Sequence, residues 1–358
     1  MFRVFAKEWG WITLTPFSVD DDGNPKNLAG TQAIIFRVAE YADILAKIYS
    51  AGQAPDHLEA VIEHLKLSLA DVDTVVKLHG TILERPGTAP IGFLMEAVDS
   101  MLLADTRFRT TFARLLYAER LARTFDQVSA RHVFPADTHE GNWFRVGNSP
   151  LGIDIDSWCS SPFLWPDGRY ERFVSGVDNP YTIAPENRGK DKPDLVYDAF
   201  TISHSLAVLL YRVLKDVHPA LVLTNDGRPL DVPSRIQAGS WGRFDPGFDV
   251  RTGRLDLNKT VPDWGIPWRK LPQDIQHFFT LTFTRGLSHR EIRPLVADWY
   301  QALRDWRMSR LRTVGLITGL ATVGVLALRP WTVEFSRFST TSGLSARSAK
   351  GESGTSRP

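Results

Sequence analysis

The stretch FPADTHEGNWFRV (134–146), followed almost at once by LGIDIDSW (151–158), decides how the rest of this chain is read. Asp137 and Asn142 stand five residues apart on one loop. After them WFRV reads as a strand, GNSP as a turn and LGID as a second strand, so the chain doubles back and returns Asp154 to the neighbourhood of Asn142. A carboxylate in such a loop can orient a hydroxyl or take its proton. An amide oxygen and a second carboxylate are the hard donors that a magnesium ion accepts.

A chain of 358 residues can bury a large core and form one two-lobed domain or two domains. Lysine and arginine total 42 against 41 aspartates and glutamates, so no excess of positive charge points to a nucleic-acid partner. The one cysteine, Cys159, excludes an internal disulfide and fits a reducing compartment. It reads as a packing residue beside the second aspartate motif. The opening MFRVFAKEWGW lacks the apolar run of a signal peptide, and the body of the protein is expected in the cytoplasm.

Residues 1–98 read as strands with one helix. KEWGWITLTPF alternates and breaks at DDDGNPKNLAG, and AIIFRVAEYADILAKIY is a hairpin about a polar turn. PDHLEAVIEHLKLSL places Leu58, Ile62, Leu65 and Leu69 on one face of a helix opened by Pro-Asp. IGFLMEAV is a short apolar strand. Residues 99–311 are helical in the main: FRTTFARLLYAERLARTFDQV, DAFTISHSLAVLLYRVL, which is apolar nearly all round, LPQDIQHFFTLTF and RPLVADWYQALRDWRMSRLR. Segment 220–270 reads as loop with short elements. The expected fold class is therefore α+β, a β-rich N-lobe on a helical C-lobe, with a hydrophobic helix over 312–331 and a disordered tail over 332–358.

Residues 20–307 resemble eukaryotic-like Ser/Thr protein kinases of bacterial type, similar to the TerY-associated or helix-hairpin-helix-linked kinase-domain proteins. The resemblance rests on Asp137, Asn142 and Asp154 at kinase spacing, Lys47 at the end of an apolar strand, and Ala184-Pro185-Glu186. It implies a bilobal kinase-like fold that transfers the ATP γ-phosphate to Ser/Thr of a protein substrate, with ATP and Mg²⁺ as cofactors. Under it Asp137 is the catalytic base, Asn142 and Asp154 hold the metal, and Lys47 holds the phosphates. Glu63 is preferred over Glu59 as the partner of Lys47, with Leu67 filling the position behind it. Met95 stands as gatekeeper, the Glu96–Val98 backbone meets adenine, and Gly30, Thr31 and Gln32 form the phosphate loop. Asp156 is a structural hydrogen-bonder or an extra metal ligand. Arg293 pairs with Glu186, and Asp198 ties down the catalytic loop.

The sequence also departs from that family. Its glycine loop is reduced to Ala29-Gly30-Thr31-Gln32-Ala33, which restricts the close approach of backbone amides to phosphates. Pro135-Ala136 replaces the His-Arg before the base, removing the receptor for a phosphate on the 154–186 segment, and His139 stands where a lysine is usual. His139 either serves the γ-phosphate or is an ordinary loop histidine. Two other readings stay open: a pseudokinase acting as a nucleotide-binding or interaction module, and a small-molecule kinase of the aminoglycoside-phosphotransferase type. Thr313–Leu328 is an uncharged run preceded by Arg304, Arg307, Arg310 and Arg312. As a helix it spans roughly 24 Å against a bilayer core of about 30 Å. It is either an anchor that tethers a cytoplasmic protein to a membrane or a helix packed on the domain or a partner. Oligomeric state is not legible.

Overall fold

Period-two alternation builds the first third of the molecule. The computed structural model describes residues 1–18, 32–55, 57–98, 101–102, 108–174 and 179–327, with the side chains of 101–102 and 313–327 left aside. Six antiparallel strands, β1 (Phe2–Ala6), β2 (Gly10–Pro16), β3 (Ala33–Val38), β4 (Tyr41–Tyr49), β5 (Leu78–Leu83) and β6 (Pro90–Glu96), close in the order β1-β2-β3-β4-β6-β5. Every strand sends alternate apolar residues inward: Val4 and Ala6, Ile12 and Leu14, Phe36 and Val38, Ile44 and Ala46, Ile82, and Leu94 form one buried cluster. The expected hairpin is β3–β4, paired from Ala33↔Tyr49 to Val38↔Tyr41. Strand β5, which sequence reading passed over, completes the sheet between β6 and β1.

Helix α1 (Leu58–Ser68) interrupts the sheet between β4 and β5 and buries Leu58, Val61, Ile62 and Leu65. Its N-cap is His57, in the left-handed conformation with no side-chain cap bond; Asp56 of the expected Pro-Asp start lies outside the described residues. The remainder is mainly helical: α2 (Thr111–Ser129), α3 (Ala199–Lys215), α4 (Val232–Gln237), α5 (Gln273–Phe283) and α6 (Val296–Ala327). The hydroxyl of Thr110 caps α2 by accepting from the Ala113 N–H at 3.1 Å. Helix α3 is buried on nearly all sides, as its mainly apolar sequence predicts. It packs against α2 and α5.

Asp198 was expected to open this buried helix and tie down the catalytic loop. It does open the helix, its carboxylate capping α3 by accepting from the N–H groups of Phe200 and Thr201 at 3.0 Å each, but its other partner is Arg290 at 3.0 Å, in place of the loop. The physical reason is local. The orphan amides and positive dipole end of α3 lie within reach of the residue that precedes the helix, and they claim its charge. The chain divides into units Met1–Arg310 and Leu311–Pro358, and both expected lobes fall in the first. Among the described residues no helix is long and apolar enough to cross a membrane. Residues 328–358, including the expected tail, lie outside the described residues.

The strongest long-range polar tie in the helical part is Glu186–Arg293. Both guanidinium arms meet the carboxylate at 2.7 Å, and Arg293 also donates to the carbonyls of Gly286 and Phe200. Burial alone would raise the Glu186 pKa, but the Arg293 hydrogen bonds and charge outweigh it and hold the carboxyl below its ordinary value. A depressed carboxyl pKa contributes stability above the unfolded value, about 4.3, and loses it as pH falls through the folded value. Glu186→Gln should therefore cost about 3 kcal/mol at pH 7 in urea unfolding, with the deficit shrinking toward pH 3. In a double-mutant cycle with Arg293→Met the two losses should be far from additive.

Candidate active site

The parity that fills the sheet interior with Ile44 and Ala46 turns Leu45, Lys47 and Tyr49 to the other face. Ile35 of β3 and Phe93 and Met95 of β6 share that outer side by the same rule. With Phe17, Val76, Phe144 and Ile153 they line a cavity of about 560 Å³ whose polar end holds Lys47, Asp137, Asn142, Asp154 and Asp156. Gly92 makes this possible, because a methyl group there would collide with the Lys47 carbonyl across the β4–β6 ladder. Apolar along its walls and charged at one end, the cavity has the character of a small-molecule site.

The second half of the site comes from the loop and hairpin 135–157. Strands β9 (Trp143–Val146) and β10 (Ser149–Gly152) pair antiparallel; between β6 and β9 lie two-residue strands β7 (Met101–Leu102) and β8 (Val133–Phe134). Trp143 is buried and stacks on Phe125 of α2, which fixes the end of the loop just after Asn142. Asn142 donates from Nδ2 to the Asp137 carbonyl at 2.8 Å and more weakly to its Oδ2 at 3.4 Å. Its carbonyl accepts the Ile153 N–H at 3.0 Å, which joins the loop to the residue before Asp154. Asp154 itself is left-handed, φ 57°, ψ 36°, a conformation that Asp tolerates better than most residues. The N–H of Ser157 donates to the Asp154 carbonyl at 3.0 Å and its hydroxyl at 2.6 Å, which holds that strained residue.

Electrostatics concentrate on Lys47. Its ammonium, with 6% of the residue exposed, pairs with Asp154 and donates to Asp156 at 2.8 and 3.0 Å. The Tyr49 hydroxyl donates to the same Asp156 carboxylate. Burial would depress the lysine, but Asp156 and then Asp154 overcome it, and the ammonium titrates above its ordinary value. Burial raises the Tyr49 phenol, and the charge of Asp156 adds to it. Burial also lifts the carboxyls of Asp137 and Asp154. The charge of Asp156 reinforces the effect at Asp154, and His139, Asn142 and Lys47 partly offset it at Asp137.

Three carboxylates thus face one ammonium, an excess of negative charge that a divalent cation would offset. Asp154 is the carboxylate, and Oδ1 of Asn142 the amide oxygen, that suit such an ion; the Asn142 nitrogen is already committed to Asp137. No group of three or more His, Cys, Asp or Glu side chains forms a metal cage among the described residues. Two protein donors fit magnesium, which takes one or two side chains and completes its shell with water and phosphate oxygens.

Lys47, Asp137, Asn142, Asp154, Met95, Glu96, Val98 and His139 all line this cavity. The N–H groups of Glu96 and Ala97 are engaged by the Lys77 and Asp43 carbonyls at 2.9 and 2.8 Å. His139 accepts the Gly141 N–H through Nδ1 at 3.0 Å and turns Nε2 to within 3.8 Å of Asp137. Gln32 is exposed at the far end of the β3–β4 hairpin, its carbonyl bonded to the Ser50 N–H, and it does not line the cavity. Gly30 and Thr31 lie outside the described residues.

The glutamate expected beside Lys47 is a different matter. Glu59 pairs with Lys7, and Glu63 lies 3.9 Å from Lys66. Glu59, Glu63 and Leu67 form an i, i+4 stripe opposite the buried face of α1, and Leu67, expected behind the ion pair, is 76% exposed. Sequence reading allowed Asp156 a structural hydrogen-bonding role without naming Lys47 as its partner, and it passed over Tyr49. The available signals were the second carboxylate of DIDS and the two-residue spacing of Lys47 and Tyr49, which puts both on one strand face. Cys159 is buried in the main core. Comparison of the sequence with known protein families and with curated proteins finds no match.

The burial of Asp137 predicts a trade between stability and the site. A carboxyl whose folded pKa is raised is disfavoured in its charged form by folding. Asp137→Asn should therefore raise the melting temperature of the ligand-free protein at pH 7 by a few degrees. The gain should disappear as pH falls and wild-type Asp137 protonates. Calorimetry at both pH values, finding a variant less stable than wild type at pH 7, would refute this.

Proposed function

We propose that this protein is a Mg²⁺- and ATP-dependent protein kinase that phosphorylates serine or threonine hydroxyls, built on a bilobal kinase-like fold. The observation that carries the reading is the meeting of Lys47, Asp137, Asn142 and Asp154 at the polar end of one apolar-walled cavity, although they come from two separate stretches of the chain. Bound Mg·ATP would supply the transferable phosphoryl group and the cationic charge that offsets its oxygens. The apolar walls, Leu45, Val76, Met95 and Ile153 among them, suit a flat base. Lys47 would donate to phosphate oxygens. Asp154 and the Asn142 amide oxygen would hold the metal. Asp137, in the loop that faces Lys47, would orient the acceptor hydroxyl and receive its proton. Catalysis would then be positioning plus charge stabilisation, as phosphoryl transfer requires.

The Glu186–Arg293 tie favours a protein acceptor, because it holds the 184–186 turn, which a peptide substrate would meet, to the helical part. Transfer of labelled γ-phosphate from Mg·ATP to the protein itself and to generic protein substrates tests the reading. It should fall by about three orders of magnitude in Asp137→Asn. Asp154→Ala should abolish thermal stabilisation by Mg·ATP. Stabilisation by Mg·ATP without transfer by the wild type would move the assignment to a nucleotide-binding module, and equal transfer by wild type and Asp137→Asn would refute the role of Asp137.

A further inference from the structure

Asp156 is used by nothing in the reaction as just described, yet it is buried and makes the best-formed contacts in the cavity. Both of its oxygens lie within 3.0 Å of the Lys47 ammonium, and one also accepts the Tyr49 hydroxyl. Its place is fixed from below. It sits in a 3₁₀ turn, Ile155–Ser157, whose flanking Ile155 and Trp158 are each 1% exposed in the main core, and the Trp158 N–H closes the turn on the Ile155 carbonyl at 3.0 Å. The acids of α1 are meanwhile held elsewhere. Glu59 is tied to Lys7, Glu63 faces Lys66, and Lys66 donates to Glu8 at 2.5 Å, so this side of the helix is fastened to the β1–β2 turn.

We propose that Asp156 is the positioning residue for Lys47, so that one core-anchored turn sets both the ammonium that meets phosphate and the Asp154 carboxylate that meets metal, with no contribution from the acids of α1. This rests on the nucleotide reading above. It makes the phosphate-binding half of the site self-assembled: a shift of α1 would leave the Lys47 ion pair in place. With both oxygens engaged by Lys47 and one also by Tyr49, Asp156 acts through the lysine and is not itself a metal ligand.

Calorimetric titration of the full chain with Mg·ATP, joined to melting temperatures, tests this. Asp156→Asn should weaken binding about tenfold, while Glu59→Gln and Glu63→Gln should stay within about twofold of wild type. In a Lys47→Met background, adding Asp156→Asn should change affinity by less than about twofold, since the residue it serves is gone. An equal loss in both backgrounds would overturn the proposal in favour of metal binding or general support. A loss in Glu63→Gln or Glu59→Gln as large as in Asp156→Asn would overturn it too. Should Asp156→Asn alone unfold by stranding the ammonium, the charge-matched Lys47→Met/Asp156→Asn protein carries the same comparison against Lys47→Met. A folded wild type that binds no Mg·ATP would defeat the nucleotide reading instead. The pairing is then read from melting temperatures: Lys47 and Asp156 substitutions coupled supports it, and Lys47 and Glu63 coupled overturns it.

Discussion

A single ammonium, nearly dry and shared by two carboxylates, is the constraint around which this molecule is arranged. Removing such charges from water costs several kcal/mol per ion unless partners stand in good geometry. Each structural peculiarity of the site supplies that geometry. Strand parity turns Lys47 out of the sheet interior, and Gly92 lets the neighbouring strand approach its backbone. The left-handed Asp154 and the 3₁₀ turn after it bring both carboxylates to one nitrogen. With Asp137 added, three carboxylates stand against one ammonium.

The helical part answers a different problem. Helix α3 is buried along nearly its whole length, so its neighbours must cover it and supply partners for charged groups drawn in beside it. Arg293, fully buried at its side chain, is one such group and collects Glu186 and two carbonyls. Those contacts join the segment that follows Asp154 to a residue just before α6. The loop is thereby restrained at both ends, by the cavity turn and by the arginine.

How much of this was legible in the sequence follows from how local each determinant is. The β3–β4 hairpin, α1, α2, α3 and α5 follow from two-residue or helical periodicity, which neighbours in the chain decide. The meeting of Asp137, Asn142 and Asp154 was legible because a tight turn at Gly147 and Asn148 between two short strands leaves the chain little freedom. The Glu186–Arg293 pair was reached through family resemblance, since nothing local couples residues so far apart. The partner of Lys47 was not legible. Glu63 and Asp156 are both acidic and near enough in the chain's logic, and only the burial of Val61 and Leu65, which turns the Glu59–Glu63–Leu67 stripe outward, decides between them. Asp198 was legible as the residue that opens α3, while the expected tie to the loop fails because the helix end one residue away takes its carboxylate. Strand β5 was passed over because a glycine, Gly80, breaks its alternation where the β5–β6 register shifts.

Closure of the sheet has a consequence for how the chain survives in a crowded solution. Strand edges with unmet amides and carbonyls recruit other strands, and a closed sheet hides them. Here the seam between the first strand and β5 is joined over only two residue pairs, Phe5↔Leu83 and Ala6↔Ile82. It is the thinnest join in the barrel. Thermal breathing would open the sheet there first, baring two edges at once, and the chain's resistance to self-association hangs on the amino-terminal strand keeping its place.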